Sequence, residues 1–272
     1  MRLNSVWRKL IILSFLLFMV VPVLATLIFS FSTLWYKTIW PENYTLEWWQ
    51  KVLTNRNFSR TLMRSLHLSL ITSGILTVMV TPSVYWVNTK LPKAKTLFEF
   101  MTALSFGIPS VILALTLIRF YSQVPWIPVI NSPRILVCGL MVMCFPFMYR
   151  PVANALDSID VKTLTEAAES LGAGWWSTLY RVIIPNMFSG IINGFLLTFS
   201  TVFSEFALTN MLVGSRYKTF PLFIVEFTRF DSRQASALAV ISFAVAWLIS
   251  LLILVLTTRH GLSSSNKVIG GH

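Results

Sequence analysis

The sequence predicts an all-α integral membrane protein with six transmembrane helices in one bundle. Of its 272 residues, 55% are hydrophobic and 12% are charged, whereas soluble domains are about 25% charged. The mean hydropathy is +0.70. A helix needs about 20 apolar residues to cross the hydrocarbon core, where every backbone amide must be satisfied within the segment itself. Long apolar runs recur along this chain, so each run is a candidate span.

Six segments approach the required length. They run from about Leu10 to Phe31, Leu62 to Val87, Thr96 to Ile118, Ile135 to Tyr149 (extendable to Ala155), Met187 to Leu212, and Ala235 to Leu256. Prolines such as Pro82, Pro109 and Pro146 interrupt several of them. Intramembrane helices tolerate proline when neighbouring helices satisfy the freed carbonyl groups, so these prolines favour a packed bundle over isolated anchors.

The first segment has two interpretations. The residues VLA, ending at Ala25, resemble a signal-peptide cleavage site, but the apolar run continues past them and is long for a signal peptide. We therefore predict a retained anchor and divide the chain into three parts. Residues 1–60 form the anchor and an external loop, residues 61–257 form the transmembrane core, and residues 258–272 form a cytoplasmic tail.

The net charge of +12 does not indicate nucleic-acid binding, because the basic residues lie singly in gaps between apolar runs, where membrane proteins keep flanking charges. A count of basic residues on the two sides of the membrane gives a tie. The loop NTKLPKAK carries three lysines and no acid, and three basic residues precede the first span. Both features favour cytoplasmic termini.

The stretch TEAAESLGAGWWSTLYRVIIP, residues 165–185, lies between the fourth and fifth spans. Thr163 and Glu166 have the spacing of a capping box, which predicts a helix beginning at about Leu164. Gly172 and Gly174 then predict the helix end. A second helix should start near Trp175 and stop at Pro185. The alternative is an amphipathic hairpin lying on the membrane surface.

The spacing within this stretch is more specific than its composition. Glu166-Ala167-Ala168 is followed after three residues by Gly172, and after nine more by Val182-Ile183-Ile184-Pro185. This pattern resembles the EAA motif of permease subunits of binding-protein-dependent ABC importers, whose pattern ends Ile-x-Leu-Pro. The stretch LSFGIPSVILALTLI resembles the proline-bearing third span of that family. The segment TLEWWQKVL, with the span that follows it, is similar to the branch that imports polyamines, 2-aminoethylphosphonate, ferric iron and thiamine. Thr81 replaces the usual small residue before Pro82.

The resemblance implies a cytoplasmic EAA loop whose first helix inserts into a cleft on a separate ATP-binding subunit, with Leu171 packing that helix down. The residues that it assigns to this coupling are Glu166, Ala167, Ala168, Leu171, Gly172 and Pro185. It further implies a multi-pass protein of the bacterial inner membrane. Its partners would be two ATP-binding subunits, a second homologous permease or an identical copy, a periplasmic or lipid-anchored solute-binding protein, and membrane lipid.

No G-x-x-x-x-G-K-[ST] sequence occurs in the chain. The chain therefore lacks the loop that holds ATP phosphates, and we predict a non-catalytic subunit without a cofactor, driven by ATP that a partner binds. His67 has no ligand-spaced companions, so we predict no metal site. Cys138 and Cys144 are six residues apart, on different faces of a helix, and are predicted to be free.

Two further pairs of residues are candidates. Glu205, deep in the fifth predicted span, is an acid at a costly depth, so with Ser204 it is predicted to lie near the substrate path. The alternative is a carboxylate paired with a neighbouring helix or near a water-filled edge. Gly190 and Gly194 form a G-x-x-x-G that permits close helix contact, either with a companion permease or within the bundle.

Three classes of function remain to be compared. We predict an ABC importer permease, with polyamine or 2-aminoethylphosphonate favoured as the substrate over ferric iron or thiamine. The main alternative is an ion-coupled secondary transporter, for which we find no repeat between the two halves of the chain. A membrane-bound enzyme would need a cluster of His, Asp or Glu that the sequence does not provide.

Overall fold

A computed structural model describes residues 5–35, 37–123 and 132–269. Within these ranges, four single helices are long and apolar enough to span a membrane. Two further pairs of helices pass the same test together, but each pair is bent at a short break. Counting each bent pair as one span gives six spans, in agreement with the predicted fold class.

The helices follow one another with short connections, and the described residues contain an isolated antiparallel bridge between Ser32 and Tyr44 but no strand. In chain order they are α1 (Ser5–Phe31), α2 (Glu47–Leu53), α3 (Phe58–Lys90), α4 (Lys95–Gly107), α5 (Ser110–Ser122), α6 (Pro133–Asp157), α7 (Val161–Ser170), α8 (Trp175–Asn186), α9 (Phe188–Ser204), α10 (Ala207–Leu212), α11 (Phe220–Thr228) and α12 (Ser232–Ile269).

The structure corrects the third predicted span. Helices α4 and α5 meet at a bend of 100° rather than forming one straight helix from Thr96 to Ile118. Pro109 has φ −59° and ψ 138°, and Ile108 before it is also extended, with φ −94° and ψ 112°. A proline disfavours helical backbone at the residue before it and donates no hydrogen bond, so the chain turns there.

The fifth predicted span, from Met187 to Leu212, is also interrupted. Helix α9 ends at Ser204, and Glu205 has extended backbone with φ −71° and ψ 125° before α10 begins. At its other end, α9 meets α8 at a bend of 77°. The sixth span begins three residues before its predicted start, and its helix continues past the predicted end at Leu256 to Ile269.

The chain divides into two compact units. The first contains Met1–Thr61 and Phe223–Trp247, and the second contains Leu62–Leu222 and Leu248–His272. In the first unit, the indole of Trp48 donates to the carbonyl oxygen of Ser32 at 2.9 Å, and the ring of Trp49 stacks on Phe31 with centroids 5.2 Å apart. These contacts hold α2 against the end of α1, whose most apolar stretch has no buried side chain.

In the second unit, α6 supplies the centre of the hydrophobic core. Six of its side chains recur every fourth residue and are fully buried: Leu136, Leu140, Cys144, Met148, Val152 and Leu156. This spacing places them on one stripe of the helix. Helices α4, α5, α9 and α10 pack around α6. The core therefore fixes the position of α6. The C-terminal end of α6 leads directly into α7, in the segment predicted to carry the function.

Candidate functional site

Helix α7 begins earlier than its sequence predicts. Asp160 is the N-cap, and its carboxylate accepts hydrogen bonds from the backbone N–H of Thr163 at 3.2 Å and from the Thr163 hydroxyl at 2.7 Å. The predicted capping box of Thr163 and Glu166, with a start at Leu164, is therefore wrong by three residues. The two hydrogen bonds from Thr163 lower the pKa of the Asp160 carboxyl below its usual range.

The predicted end of α7 is confirmed. Gly172 has a φ of +80°, a left-handed conformation that side chains other than glycine rarely adopt. The N–H of Gly172 donates to the carbonyl of Glu169, and the N–H of Ala173 donates to the carbonyl of Ala168, both at 2.9 Å. These two bonds define a Schellman motif, which satisfies carbonyl groups that a helix end otherwise leaves open.

One side of α7, which we call the inner face, packs against its own chain. It consists of Val161, Thr165 and Ala168, each less than a tenth exposed. The hydroxyl oxygens of Tyr85 and Thr165 are 3.1 Å apart, and because Thr165 donates its proton to the carbonyl of Val161 at 2.7 Å, Tyr85 is the donor between them. Tyr85 is fully buried on α3. The fully buried tyrosine thus ties α7 to the transmembrane part of the second unit.

The opposite side, the outer face, consists of Glu166, Ala167 and Leu171, all exposed. The prediction that Leu171 packs the helix down is wrong, because its side chain is 88% exposed. It follows the last residue of α7, where the Schellman turn directs the chain away from the core. Ala168, assigned to the external contact by the resemblance, is buried instead. Glu166 lies 3.9 Å from Lys162 across one helical turn.

Helix α8 starts at Trp175 as predicted and ends at Asn186, one residue past Pro185. Its residues Leu179–Ile183 form a π-helical turn. Pro185 has no N–H for the carbonyl group of Arg181, four residues earlier, and its ring crowds that carbonyl. A widened turn immediately before a proline accommodates both effects. Pro185 itself is exposed.

The G-x-x-x-G pair on α9 packs within the chain. A Cβ atom built on Gly190 would lie 2.3 Å from the Cβ of Ala155 and 2.6 Å from the backbone oxygen of Pro151. A Cβ built on Gly194 would lie 2.9 Å from the sulfur of Met148. Of the two predicted uses, the structure supports contact inside the bundle, because these glycines let α9 approach the backbone of α6.

Glu205 lies at the break between α9 and α10. One carboxylate oxygen accepts from the N–H of Leu208 at 2.8 Å, and the other accepts from the N–H and the hydroxyl of Thr209 at 3.0 Å. The carboxylate therefore caps α10, which explains an acid at this depth without an external ligand. Ser204 is exposed, and its hydroxyl donates back to the carbonyl of Ser200 at 2.9 Å.

Among residues 5–35, 37–123 and 132–269, no three His, Cys, Asp or Glu side chains are grouped so that they could hold a metal ion. Cys138 and Cys144 are free, the first exposed and the second buried. Sequence reasoning did not find Asp160, Tyr85 or Thr165. Only Asp160 had a local signal, since an acid three residues before Thr163 is itself a cap candidate.

A comparison with protein families decides between the classes of function. The profile of the family described as "Binding-protein-dependent transport system inner membrane component" matches residues 83–262. The chain belongs to this family. It is thus the permease subunit of an ABC importer, a multi-pass membrane protein. The matched region contains both bent helix pairs, α6 and the whole of α7 and α8.

Curated relatives of this permease differ in the solute that their names state. The spermidine/putrescine transport system permease protein PotB of Escherichia coli (strain K12) is 31% identical over 188 residues, which cover 64% of this chain and 67% of the relative. PotB of Haemophilus influenzae is 27% identical over 238 residues, covering 79% and 80%. The sulfate transport system permease protein CysW of Synechococcus elongatus is 26% identical over 188 residues, covering 65% of each chain.

Solved structures share the fold of this permease. A chain of a bacterial ABC transporter that imports the acidic polysaccharide alginate aligns with a TM-score of 0.70 and 15% identity, covering 94% of this chain and 99% of its own. A chain of the MetNI methionine ABC transporter in an inward-facing conformation aligns with a TM-score of 0.59 and 18% identity, covering 74% and 95%. At these identities the likeness establishes the fold alone.

Proposed function

We propose that the outer face of α7 docks in a cleft on the ATP-binding subunit and transmits its movements to the spans. The observation that carries this proposal is the exposed side chain of Leu171 on a helix that is capped at both ends. Covering the exposed apolar surface of Leu171 with a partner would be favourable, because it removes that surface from water. Glu166 and Ala167 lie beside it and Gly172 turns the chain, while Ala168 on the inner face holds α7 against its own chain.

This proposal places α7 on the cytoplasmic side, where ATP is available, and so places both termini on the same side. Transport by the assembled importer would then require two ATP-binding subunits, a second permease that is either homologous or identical, and a solute-binding protein on the other side. The solved alginate ABC transporter of the same fold is in complex with a periplasmic protein, which supports the solute-binding partner. This chain would not hydrolyse ATP itself.

The coupling proposal is tested with Leu171→Ala in the assembled transporter. Truncating an apolar anchor at an interface costs about 2 kcal/mol, so we expect affinity for the ATP-binding subunit to fall about thirtyfold. Uptake and ATPase stimulation should fall with it, while the unfolding temperature of the permease should not change. The matched control is Leu197→Ala, the same truncation at a leucine that is 48% exposed on α9. Unchanged co-purification and uptake in Leu171→Ala would contradict the docking role.

We also propose that the transported solute is a polyamine such as spermidine or putrescine. Two PotB relatives support this choice, one at 31% identity and one over 238 residues. The CysW relative makes sulfate the second candidate. The family branch suggested by the sequence adds 2-aminoethylphosphonate, ahead of ferric iron and thiamine. The choice of solute in such importers depends largely on the solute-binding protein.

The solute is tested by uptake of labelled spermidine, putrescine, sulfate and 2-aminoethylphosphonate in a strain that lacks this gene and in the same strain complemented with it. We expect polyamine uptake alone to return with the gene. A thermal shift of the associated solute-binding protein with the same compounds provides an independent measurement, because a ligand that binds the folded state raises its unfolding temperature. Restored sulfate uptake without polyamine uptake would refute the assignment.

A role for Ser204 and Glu205 in the substrate path remains a hypothesis, and Glu205→Gln separates it from the capping role. Gln keeps the size of the side chain and one acceptor oxygen but removes the negative charge. The unfolding temperature should fall in either case, because both carboxylate oxygens of Glu205 accept hydrogen bonds from α10. If Glu205 also contacts a cationic solute, the KM for uptake should rise as well. If it serves only as the cap of α10, the unfolding temperature should fall and the KM should stay the same.

A further inference from the structure

Two cavities adjoin along α3 in the second compact unit. The first, of about 470 Å³, is lined by Pro82, Ser83, Trp86, Lys90, Trp175 and Trp176. The second, of about 310 Å³, is lined mainly by apolar side chains of α3, α4 and α6, among them Leu76, Met79, Phe98 and Met141. Ser83 belongs to both linings. The two cavities thus meet at Ser83, and we treat them together as a groove with an aromatic, basic end and an apolar end.

The basic end has polar groups that are weakly held or without a partner. The ammonium of Lys90 is 3.8 Å from the carboxylate of Glu169 on α7, and both side chains are about half exposed, so their ion pair is loose. The indole N–H of Trp175 is buried without a hydrogen-bond partner among the residues that the structure describes. Trp86 and Trp176 are 55% and 61% exposed beside them. Tryptophan and lysine together are typical of the lipid headgroup level.

The apolar end opens to the surface of the bundle, since Met79 and Met101 are 56% and 47% exposed. Lys90 and Leu76 are 14 positions apart on the same helix, which corresponds to about 21 Å at 1.5 Å per residue. One leaflet of a bilayer has a hydrocarbon depth of about 15 Å below its headgroups. The groove thus has the length of one phospholipid, with its charged group where the headgroup would lie and, apart from Ser83 and Ser105, apolar side chains along the other end.

We propose that this groove binds one anionic phospholipid, with its phosphate near Lys90 and an acyl chain along Leu76 and Met79. The sign of the charge follows from Lys90, the lysine that lines the aromatic end of the groove. A phosphate beside Lys90 would compete with Glu169, so lipid binding would loosen a tie between α3 and α7. An effect of lipid binding on ATPase coupling through this tie rests on the proposed docking of α7. The lipid binding itself does not rest on it.

The binding is measured by native mass spectrometry of the purified full-length protein with phosphatidylglycerol or phosphatidylcholine of identical acyl chains. One lysine near a headgroup is worth about 1 kcal/mol, so Lys90→Gln should lower affinity for phosphatidylglycerol about fivefold. Lys93→Gln, a lysine that does not line the groove, is the matched control and should retain it. Equal binding of the two lipids by the wild type, or equal loss in both variants, would overturn the proposal.

Two more variants test the groove and the competition separately. Ser83→Phe fills the junction without removing charge, and it should abolish phosphatidylglycerol binding while the unfolding temperature is kept. Glu169→Gln frees Lys90 and should raise the affinity, by between about 1.5-fold and fivefold for a loose ion pair. Retained binding in Ser83→Phe overturns the proposal. Loss of the second permease from Ser83→Phe preparations also overturns it, because the groove would then be a subunit interface.

Discussion

On α9, Gly190 and Gly194 lie against the backbone of α6, whereas after α7, Gly172 and Gly174 lie in open space. A Cβ atom on Gly190 would meet Ala155 at 2.3 Å, and one on Gly172 or Gly174 would meet no atom within 4 Å. Gly190 and Gly194 allow close contact between α9 and α6, whereas Gly172 provides the left-handed backbone conformation at the end of α7. One region is thus held by close contact between two backbones, while the other is held by the buried inner face of α7, two caps and a hydrogen bond.

The largest effect is expected from Gly190→Ala, because the nearest atoms include the backbone oxygen of Pro151, which no rotamer change can move. Overpacking of this kind costs up to about 3 kcal/mol. The free energy of unfolding, measured by denaturant titration in mild detergent, should fall by this amount. Asn193→Ala, at an exposed position of the same helix, is the control. Adding Ala155→Gly should restore part of the loss, and no restoration would argue against this contact.

A smaller loss is expected from Gly172→Ala. Its φ of +80° costs a residue with a Cβ about 1–2 kcal/mol, although there is space for the methyl group. Gly174→Ala provides the matched control, because Gly174 has a φ of −74° that any residue adopts. Hydrogen exchange at the end of α7 should increase in the first variant only. Similar exchange in both would show that the left-handed turn does not hold this helix end.

The hydrogen bond between Tyr85 and Thr165 is the next test. Tyr85→Phe removes one donor from a buried site, which costs about 1 kcal/mol. Tyr180→Phe removes the hydroxyl of a tyrosine that is 61% exposed and should have little effect. Thermal unfolding followed together with hydrogen exchange should show faster opening of α7 in Tyr85→Phe. Equal exchange in the two variants would mean that the bond adds nothing to the attachment of α7.

The smallest effect concerns pH. The hydrogen bonds from Thr163 keep the pKa of Asp160 below the usual value of 3.8 in the folded protein. The cap therefore stabilises α7 fully above that value, and this contribution is lost as the pH falls through the folded pKa. The difference in unfolding temperature between wild type and Asp160→Ala should shrink at acidic pH. Asparagine also caps a helix but does not titrate. The difference in unfolding temperature between Asp160→Asn and Asp160→Ala should therefore persist at acidic pH.

The spans could be predicted from the sequence because long apolar runs are typical of transmembrane helices. The breaks within the spans could not. Pro109 ends a helix, whereas Pro82 and Pro146 lie inside continuous helices, and tertiary contacts decide between these outcomes. The break at Glu205 has neither proline nor glycine. It depends on a carboxylate that caps the following helix, a contact that forms only after the chain has already turned.

The same reasoning explains the errors in the candidate site. Asp160 and Thr163 are both good caps, three residues apart, and the sequence does not rank them. The resemblance to the family implied that Leu171 packs α7 down, but beside the left-handed turn its side chain is exposed. Helix lengths and ends follow from local chemistry. Which face of a short helix is buried depends on Tyr85, a residue 80 positions away from Thr165.

The bend of 77° between α8 and α9 determines how a force on the loop would reach the membrane. When two rods are joined nearly at right angles, a push along the first becomes a sideways tilt of the second and hardly any sliding. Gly190, close to this corner, lies against α6 with no room for an added methyl group. A tilt of α9 about the glycine contact would therefore displace its far end, next to Glu205, the most.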